Sequence, residues 1–235
     1  ETQDVLGYED TYPSSYVQFH LLNGEYLHEQ GFNGENMTIG ICDAGFRNAN
    51  NNPAFSAIFS EGRILGTYDY VHNDHRIFTS TDDARGAYCF SFIGGLLNNQ
   101  YIGTSTKSNF YLFQTENNDG GSERLQEEFN LATALQRCDQ LGVDVVSISL
   151  GYYTFDVASE NHDTSDMKKN NTPAAKAVNI AASKNILVCV AAGNEGTSAW
   201  HYITTPADAD SAFAIAAVDK NGNVAPFSSY GLATD

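Results

Sequence analysis

Three segments of this chain each run through apolar residues and end on a polar group. Thr38-Ile39-Gly40-Ile41-Cys42-Asp43-Ala44-Gly45-Phe46 delivers a carboxylate onto a glycine-containing turn, and Val190-Ala191-Ala192-Gly193-Asn194-Glu195-Gly196 delivers a carboxamide onto another. Asp144-Val145-Val146-Ser147-Ile148-Ser149-Leu150-Gly151 repeats the pattern. A carboxylate can orient and stabilise a cation, a carboxamide N–H can donate to a developing oxyanion, and a strand-ending backbone can pair with an extended peptide. Parallel strands are buried on both faces and meet ligands only at their carboxyl ends, so all three segments are expected to share one sheet edge.

The elements that position these groups alternate along the chain. Tyr16 to His28 has helical spacing and leads through Gly31-Phe32-Asn33-Gly34 to a strand from Met37 to Asp43. After an Asn-rich loop and a short helical stretch near Pro53 to Phe59, the pattern predicts a strand at 63–70, a helix at 86–97 and a strand at 109–113. A helix at about 123–141, a strand at 143–149, a helix at about 173–184 and strands at 186–191 and 213–218 follow. Strands alternating with helices of this length imply an α/β fold with a mainly parallel sheet and right-handed crossovers. The stretch Tyr152 to Asn171 is the longest polar connection, directly after Ser149-Leu150-Gly151. There is no internal repeat.

Composition narrows the partners. The chain has 235 residues, 42% of them hydrophobic, enough for one sizeable core. Twenty-nine Asp and Glu against 12 Lys and Arg give a formal charge of −17, which opposes encounter with nucleic acid or an anionic membrane. No apolar run reaches the roughly 18 to 20 residues that cross a bilayer, and Glu1-Thr2-Gln3-Asp4 has neither the basic nor the apolar part of a signal segment.

Cys42, Cys89, Cys138 and Cys189 lie within apolar or helical segments without a C-x-x-C pair and are expected to be buried thiols, with no zinc site. Cys42 precedes Asp43 on a strand, so its side chain should point to the opposite face. His20 and His28 are expected as surface or half-buried helix residues. No stretch has the spacing of a defined calcium loop, although the acidic loops supply the oxygen ligands that calcium takes. No metal ligand and no cofactor are assigned. The triplets starting at Asn36 and Asn170 match glycosylation sequons, which matter only in a glycosylating pathway.

Taken together, Asp43, Ser149-Leu150-Gly151 and Ala191-Ala192-Gly193-Asn194 resemble, in order and spacing, the subtilisin-like serine peptidases. That family carries an Asp in a D-[ST]-G-like turn, a substrate-binding S-L-G and an oxyanion Asn in A-A-G-N. The resemblance runs from about Phe32 to Gly231, and Pro206-Ala207 and Phe227-Ser228-Ser229-Tyr230-Gly231 fit its later turns. It implies a three-layer fold with residues 1–31 as an N-terminal helical extension and 32–235 as the peptidase domain. It further implies an extended peptide or protein as partner and a secreted or extracellular location. The implied site is Asp43 and the oxyanion donor Asn194, with Ser149, Leu150, Gly151, Ala192 and Gly193 lining the substrate. Tyr152 follows where the family often has another Gly, which is expected to narrow the primary pocket.

Two departures bear on activity. The family's helix begins H-G-T-x-V with the general base first, and here Arg85-Gly86-Ala87-Tyr88-Cys89 occupies that place. A guanidinium stays charged near neutral pH and offers no acceptor for a hydroxyl proton. These residues also contain no G-T-S-M-A-like segment, so the nucleophile is expected to be missing from the chain and the fold to lack its C-terminal part. Losing the base or the nucleophile removes most of a triad's acceleration. His72 and His75 are candidates for a relocated base. Two readings stay open: a serine endopeptidase homologue that is inactive as this chain stands, and a non-catalytic peptide-binding relative. The sequence sets no oligomeric state.

Overall fold

A computed structural model describes residues 12–79, 83–117, 122–167 and 170–231. Glu1 to Asp4 and the end at Asp235 lie outside the described residues. Two short helices, α1 (Tyr16–Leu21) and α2 (Gly24–Glu29), precede β1 (Thr38–Asp43). Then come α3 (Ser56–Ser60), β2 (Ile64–Asp69), α4 (Arg85–Gly94), the two-residue strands β3 (Leu96–Leu97) and β4 (Tyr101–Ile102), and β5 (Asn109–Gln114). The remaining elements are α5 (Gln126–Leu141), β6 (Val145–Ile148), α6 (Thr164–Met167), α7 (Pro173–Ser183), β7 (Leu187–Ala191) and β8 (Phe213–Ile215).

The main sheet has six strands in the order β2-β5-β1-β6-β7-β8, and every pairing in it is parallel. Strand β1 sits between β5 and β6, and its residues alternate between two cores as the period of two requires. Ile39 and Ile41 face Phe55, Ile58 and Phe90, on the side of α3 and α4. Cys42 faces Leu131, Leu135 and Cys138 of α5 and Val178 of α7. The result is the expected three layers of helix, sheet and helix.

The register fixes which polar groups meet. Asp43 pairs with Gln114, and Cys42 pairs with Ile148, which pairs with Val190. One residue further along, Asp43, Ser149 and Ala191 emerge side by side. Thr115 N–H donates to the Asp43 carbonyl at 3.0 Å, which carries the same edge across to the residue after β5.

Coverage of the sheet is uneven. Strand β1 is almost entirely buried, whereas all three residues of β8 are exposed, with Phe213 at 59% and Ile215 at 45%. Leu187 on β7 and the outward faces of α4 at Tyr88 and Phe92 are exposed as well. A parallel sheet is ordinarily covered on both faces, and the described residues leave this quarter bare.

Helix α4 ends at Gly94, earlier than the predicted 97. Gly95 turns extended, and Leu96 and Leu97 pair antiparallel with Tyr101 and Ile102, so a local hairpin takes the residues that would have continued the helix. Strand β8 is likewise shorter than its predicted 213–218. Cys42 and Cys138 are buried as expected, but Cys89 and Cys189 are only half-buried, because Cys89 faces the cleft described below and Cys189 lies on β7 at the bare quarter of the sheet.

Candidate functional site

Asp43 is fully buried at the end of β1, its Oδ1 accepting the Ala44 N–H at 2.8 Å. Across from it, Arg85 opens α4, its backbone N–H held by Asp83 Oδ1 at 2.8 Å. Gly86 lets this helix start against the β1 turn: a Cβ there would stand 2.6 Å from the Gly45 carbonyl and 2.9 Å from the Phe46 ring. Gly45 has φ +142°, so a side chain at that position would strain the same turn. The sequence has thus placed small residues where the turn and the helix touch, and this contact delivers Arg85 to Asp43.

Arg85 Nε lies 3.8 Å from Asp43 Oδ1, and its Nη2 donates to the Ser149 carbonyl. The guanidinium is 46% exposed, so this pair joins a dry carboxylate to a half-wet cation. Burial pushes the Asp43 carboxyl above the usual carboxylate range, while Arg85, the Ala44 N–H and Cys89 pull it back down. Cys89 sits within reach of both Asp43 and Ser149. Its thiol donates to Ser149 Oγ at 3.2 Å, and Asp43 Oδ2 has no hydrogen-bond partner among the described residues. Burial and the Asp43 charge push the Cys89 thiol up to about 11, so it stays protonated and is no nucleophile.

Beyond β6, Leu150 is buried and Ser149 half-buried, with Gly151 exposed at the rim. Beyond β7, Ala192 is buried, Gly193 has φ +108° and the Asn194 side chain is exposed. Ser229 braces this second turn: its N–H donates to the Gly193 carbonyl at 3.0 Å and its Oγ accepts the Glu195 N–H at 2.9 Å. Asp43, Arg85, Ser149 to Gly151 and Gly193 to Asn194 therefore line one carboxyl edge, where a carboxamide donor, strand-end backbone and a cation converge.

Three glutamates that the sequence reading passed over lie on the same edge. Glu116 follows β5, is 5% exposed, and accepts a hydrogen bond from the Tyr152 hydroxyl. Burial and then the Glu127 charge raise its carboxyl to about 8. Glu123 is raised to about 7 by burial, Glu127 and Asp156. Glu116, Glu123 and Glu127 bring a carboxylate oxygen each within 4.8 Å of one another. As a calcium cage the group is incomplete, because Glu127 already accepts the Asn117 and Arg124 N–H groups and Glu116 the Tyr152 hydroxyl, whereas calcium takes six to eight oxygens. Glu116 was legible in principle as one more carboxylate just past an apolar parallel strand.

Tyr152 does not narrow the cleft. Its ring is 1% exposed and packs in the core near Phe155, because Glu116 offers its hydroxyl a buried acceptor there. His72 and His75 stand at the far side of β2, with His72 Nδ1 at 2.7 Å from Asp69 Oδ2 and His75 Nδ1 at 2.6 Å from the Thr67 carbonyl. A cavity of about 210 Å³ is lined by Arg85, Glu116, Glu123, Gly151, Gly193 and Asn194 among others. A wider cleft of about 700 Å³ lies against β2, β5 and α5 among Tyr68, Tyr70 and Tyr111, and none of the strand-end polar groups lines it.

Residues 34–235 match the Peptidase_S8 sequence profile of the Subtilase family. The chain belongs to the subtilase family. It is 28% identical over 204 residues to thermitase of Thermoactinomyces vulgaris, covering 86% of this chain and 62% of that protein. Subtilisin DY of Bacillus licheniformis is 25% identical over 213 residues, covering 90% and 67%, and the serine protease AprX of Bacillus subtilis is 26% identical over 219 residues, covering 86% and 44%. This subtilase chain thus spans about two thirds or less of the length of these relatives. Its fold is shared with the prenylagaramide maturation protease PagA, at a TM-score of 0.66 and 17% identity over 89% of this chain and 64% of that one. MycP1 gives a TM-score of 0.65 and 20% identity, over 92% and 67%. No helix among the described residues is long and apolar enough to cross a membrane.

Proposed function

We propose that the cleft of this subtilase chain binds an extended peptide or protein segment along Ser149, Leu150 and Gly151 and holds it without hydrolysing it. Subtilase membership supports a protease-like function, and the strand-end backbone past β6 supports peptide addition as a further strand. In this reading Asn194 supplies a donor to the bound carbonyl, and Ala192 and Gly193 form the opposite wall.

The observation that carries the non-catalytic part is Arg85 Nε at 3.8 Å from Asp43 Oδ1. In a working triad the carboxylate holds an imidazole that accepts the nucleophile's proton. Here the carboxylate faces a guanidinium, which keeps its charge and has no lone pair to accept with. Asp43 is then a relic of the pair, retained as the counter-charge of Arg85. The test combines two assays on one preparation: labelled peptides should bind reversibly, and a fluorophosphonate probe should label no serine. Stoichiometric labelling of any Ser, mapped by mass spectrometry, would overturn the reading.

A second reading, a serine endopeptidase that draws its nucleophile from residues outside this chain, is favoured by the greater length of the relatives and by the bare quarter of the sheet at β7 and β8. It predicts a G-T-S-like segment in the native reading frame beyond Asp235. Arg85→His in a chain carrying that segment should raise peptide hydrolysis by orders of magnitude, whereas the same change in these 235 residues should give none. A secreted location belongs to the proposal and rests on family resemblance.

A further inference from the structure

The cleft of about 700 Å³ against β2, β5 and α5 lies apart from the strand-end site, and the register of the sheet builds its floor. Gly66 and Tyr68 of β2 pair with Tyr111 and Phe113 of β5, so by the period of two all four share one face of the sheet. Tyr68 and Tyr111 are half-buried there against the core that contains Phe113 and the inner side of α5. A Cβ on Gly66 would stand 3.0 Å from the Tyr111 ring, so the glycine makes room for that ring to lie across the strand. Tyr70 and His75 extend the aromatic surface, with ring centroids 4.7 Å and 5.1 Å from that of Tyr68.

The opposite wall is the polar stripe of α5. Thr133, Gln136, Arg137 and Gln140 recur at i, i+3, i+4 and i+7 and therefore share one side of the helix, which lines the cleft. Arg137 Nη1 donates to Gln140 Oε1 at 3.1 Å, which engages the amide oxygen and leaves its NH₂ as a donor. Burial raises the Tyr70 hydroxyl above the ordinary tyrosine range, so it too stays a donor, and the Arg137 charge acts on it across the cleft.

Tyrosines on a sheet face and an arginine on a helix are ordinary singly, but the charge around them is not. The chain carries 29 Asp and Glu against 12 Lys and Arg, yet none of the residues lining this cleft is acidic. Arg137 has no salt-bridge partner among the described residues, and Asp69 and Asp74, next in sequence to Tyr70 and Asn73, bond His72 and Arg76 instead. A cationic guest would find no counter-charge here, and a neutral apolar one would cover the guanidinium without pairing it. A flat ring with a negative end satisfies both walls, and the volume falls within the roughly 300–1,000 Å³ of small-molecule sites.

We propose that this cleft binds a small aromatic carboxylate, its ring laid against Tyr68 and Tyr111 and its carboxylate received by Arg137 together with the Tyr70 hydroxyl and the Gln140 amide. A guanidinium pairs a carboxylate through charge-assisted, often bidentate hydrogen bonds, and ring-on-ring contact adds to the area buried. The site is separate from the strand-end cleft and stands whether or not that cleft binds peptide.

The experiment is isothermal titration calorimetry of the whole chain with 2-naphthoate, 2-naphthamide and the saturated acid decahydro-2-naphthoate. The first should bind saturably at one site, about tenfold or more tightly than the amide and about threefold or more tightly than the saturated acid. Arg137 is exposed on its helix, so Arg137→Gln should keep the native circular-dichroism spectrum. It should reduce the acid-to-amide ratio to about twofold or less and leave amide affinity unchanged. Absence of saturable binding by 2-naphthoate overturns the proposal, and so does equal binding of acid and amide. Equal binding of the aromatic and saturated acids overturns the aromatic assignment. A preference for the acid that survives Arg137→Gln places the anion elsewhere on the chain and overturns the site; its loss in Arg85→Gln would assign it to the strand-end cleft.

Discussion

The two ends of the cleft hold buried carboxylates at neighbouring strand ends and manage them differently. Asp43, the last residue of β1, faces a cation; Glu116, past β5, faces a hydroxyl and two more carboxylates. Desolvation raises both. At Asp43 the guanidinium and a backbone N–H act against that burial, while at Glu116 the Glu127 charge adds to it, and the carboxyl reaches about 8. One end pairs a buried carboxylate with a guanidinium, and the other is an acid kept largely neutral at pH 7 by its surroundings. The contrast separates a carboxylate held by a counter-charge from one held by a hydroxyl among other acids.

The largest effect expected on this comparison comes from its hinge residue, Tyr152, which is buried in the core and bonded to Glu116. Tyr152→Ala should cost about 3–5 kcal/mol in urea unfolding as a large-to-small core change. Tyr152→Phe isolates the hydroxyl and should cost about 1–3 kcal/mol, because Glu116 then loses its donor inside the protein. A Phe variant as stable as the parent would show that the Glu116 end is wetter than its burial indicates.

The next effect is on pH dependence. Glu116 titrates at about 8 in the folded chain against an ordinary 4.5, so between those values the folded state holds a proton that the unfolded state has released. Stability from this group is therefore greatest below about pH 4.5 and falls as pH rises towards 8, by at most about 1.4 kcal/mol per pH unit. Urea midpoints between pH 5 and 8 should fall less steeply in Glu116→Gln than in the parent. Parallel curves would contradict the assignment.

The smallest effect belongs to the other end. Arg85→Ala should lower stability by only about 1 kcal/mol or less, since the guanidinium is nearly half exposed and solvent screens its pairing. The same change frees the Ser149 carbonyl, so peptide affinity should rise several-fold, by roughly the worth of one hydrogen bond. Weaker peptide binding in this variant would recast Arg85 as a contact to the peptide.

The Asp43 end was legible because its signals are local. Ile39-Gly40-Ile41-Cys42-Asp43 reads as a buried strand ending on an acid, and Arg85-Gly86-Ala87 is placed by its resemblance to the family's H-G-T helix start. The Glu116 end was not, because nothing nearby in sequence marks it. Gln114-Thr115-Glu116 reads as the start of a polar loop, and only the parallel register, with Thr115 N–H on the Asp43 carbonyl, draws it level with β1. Tyr152 failed for the same reason: its neighbours in sequence suggest a pocket wall, whereas its ring is claimed by a carboxylate 36 residues away. The short β3–β4 hairpin was hidden inside Ile93-Gly94-Gly95-Leu96-Leu97, where apolar spacing alone fits a helix equally well.

The most direct measurement of the central claim is mass spectrometry of a bound peptide after prolonged incubation with the purified chain at pH 8. The account predicts that the peptide is recovered intact from the complex, in the parent and in Arg85→His alike, as the proposed non-catalytic reading requires. Cleavage products that appear with the parent chain, scale with its concentration and are blocked by a fluorophosphonate would contradict it.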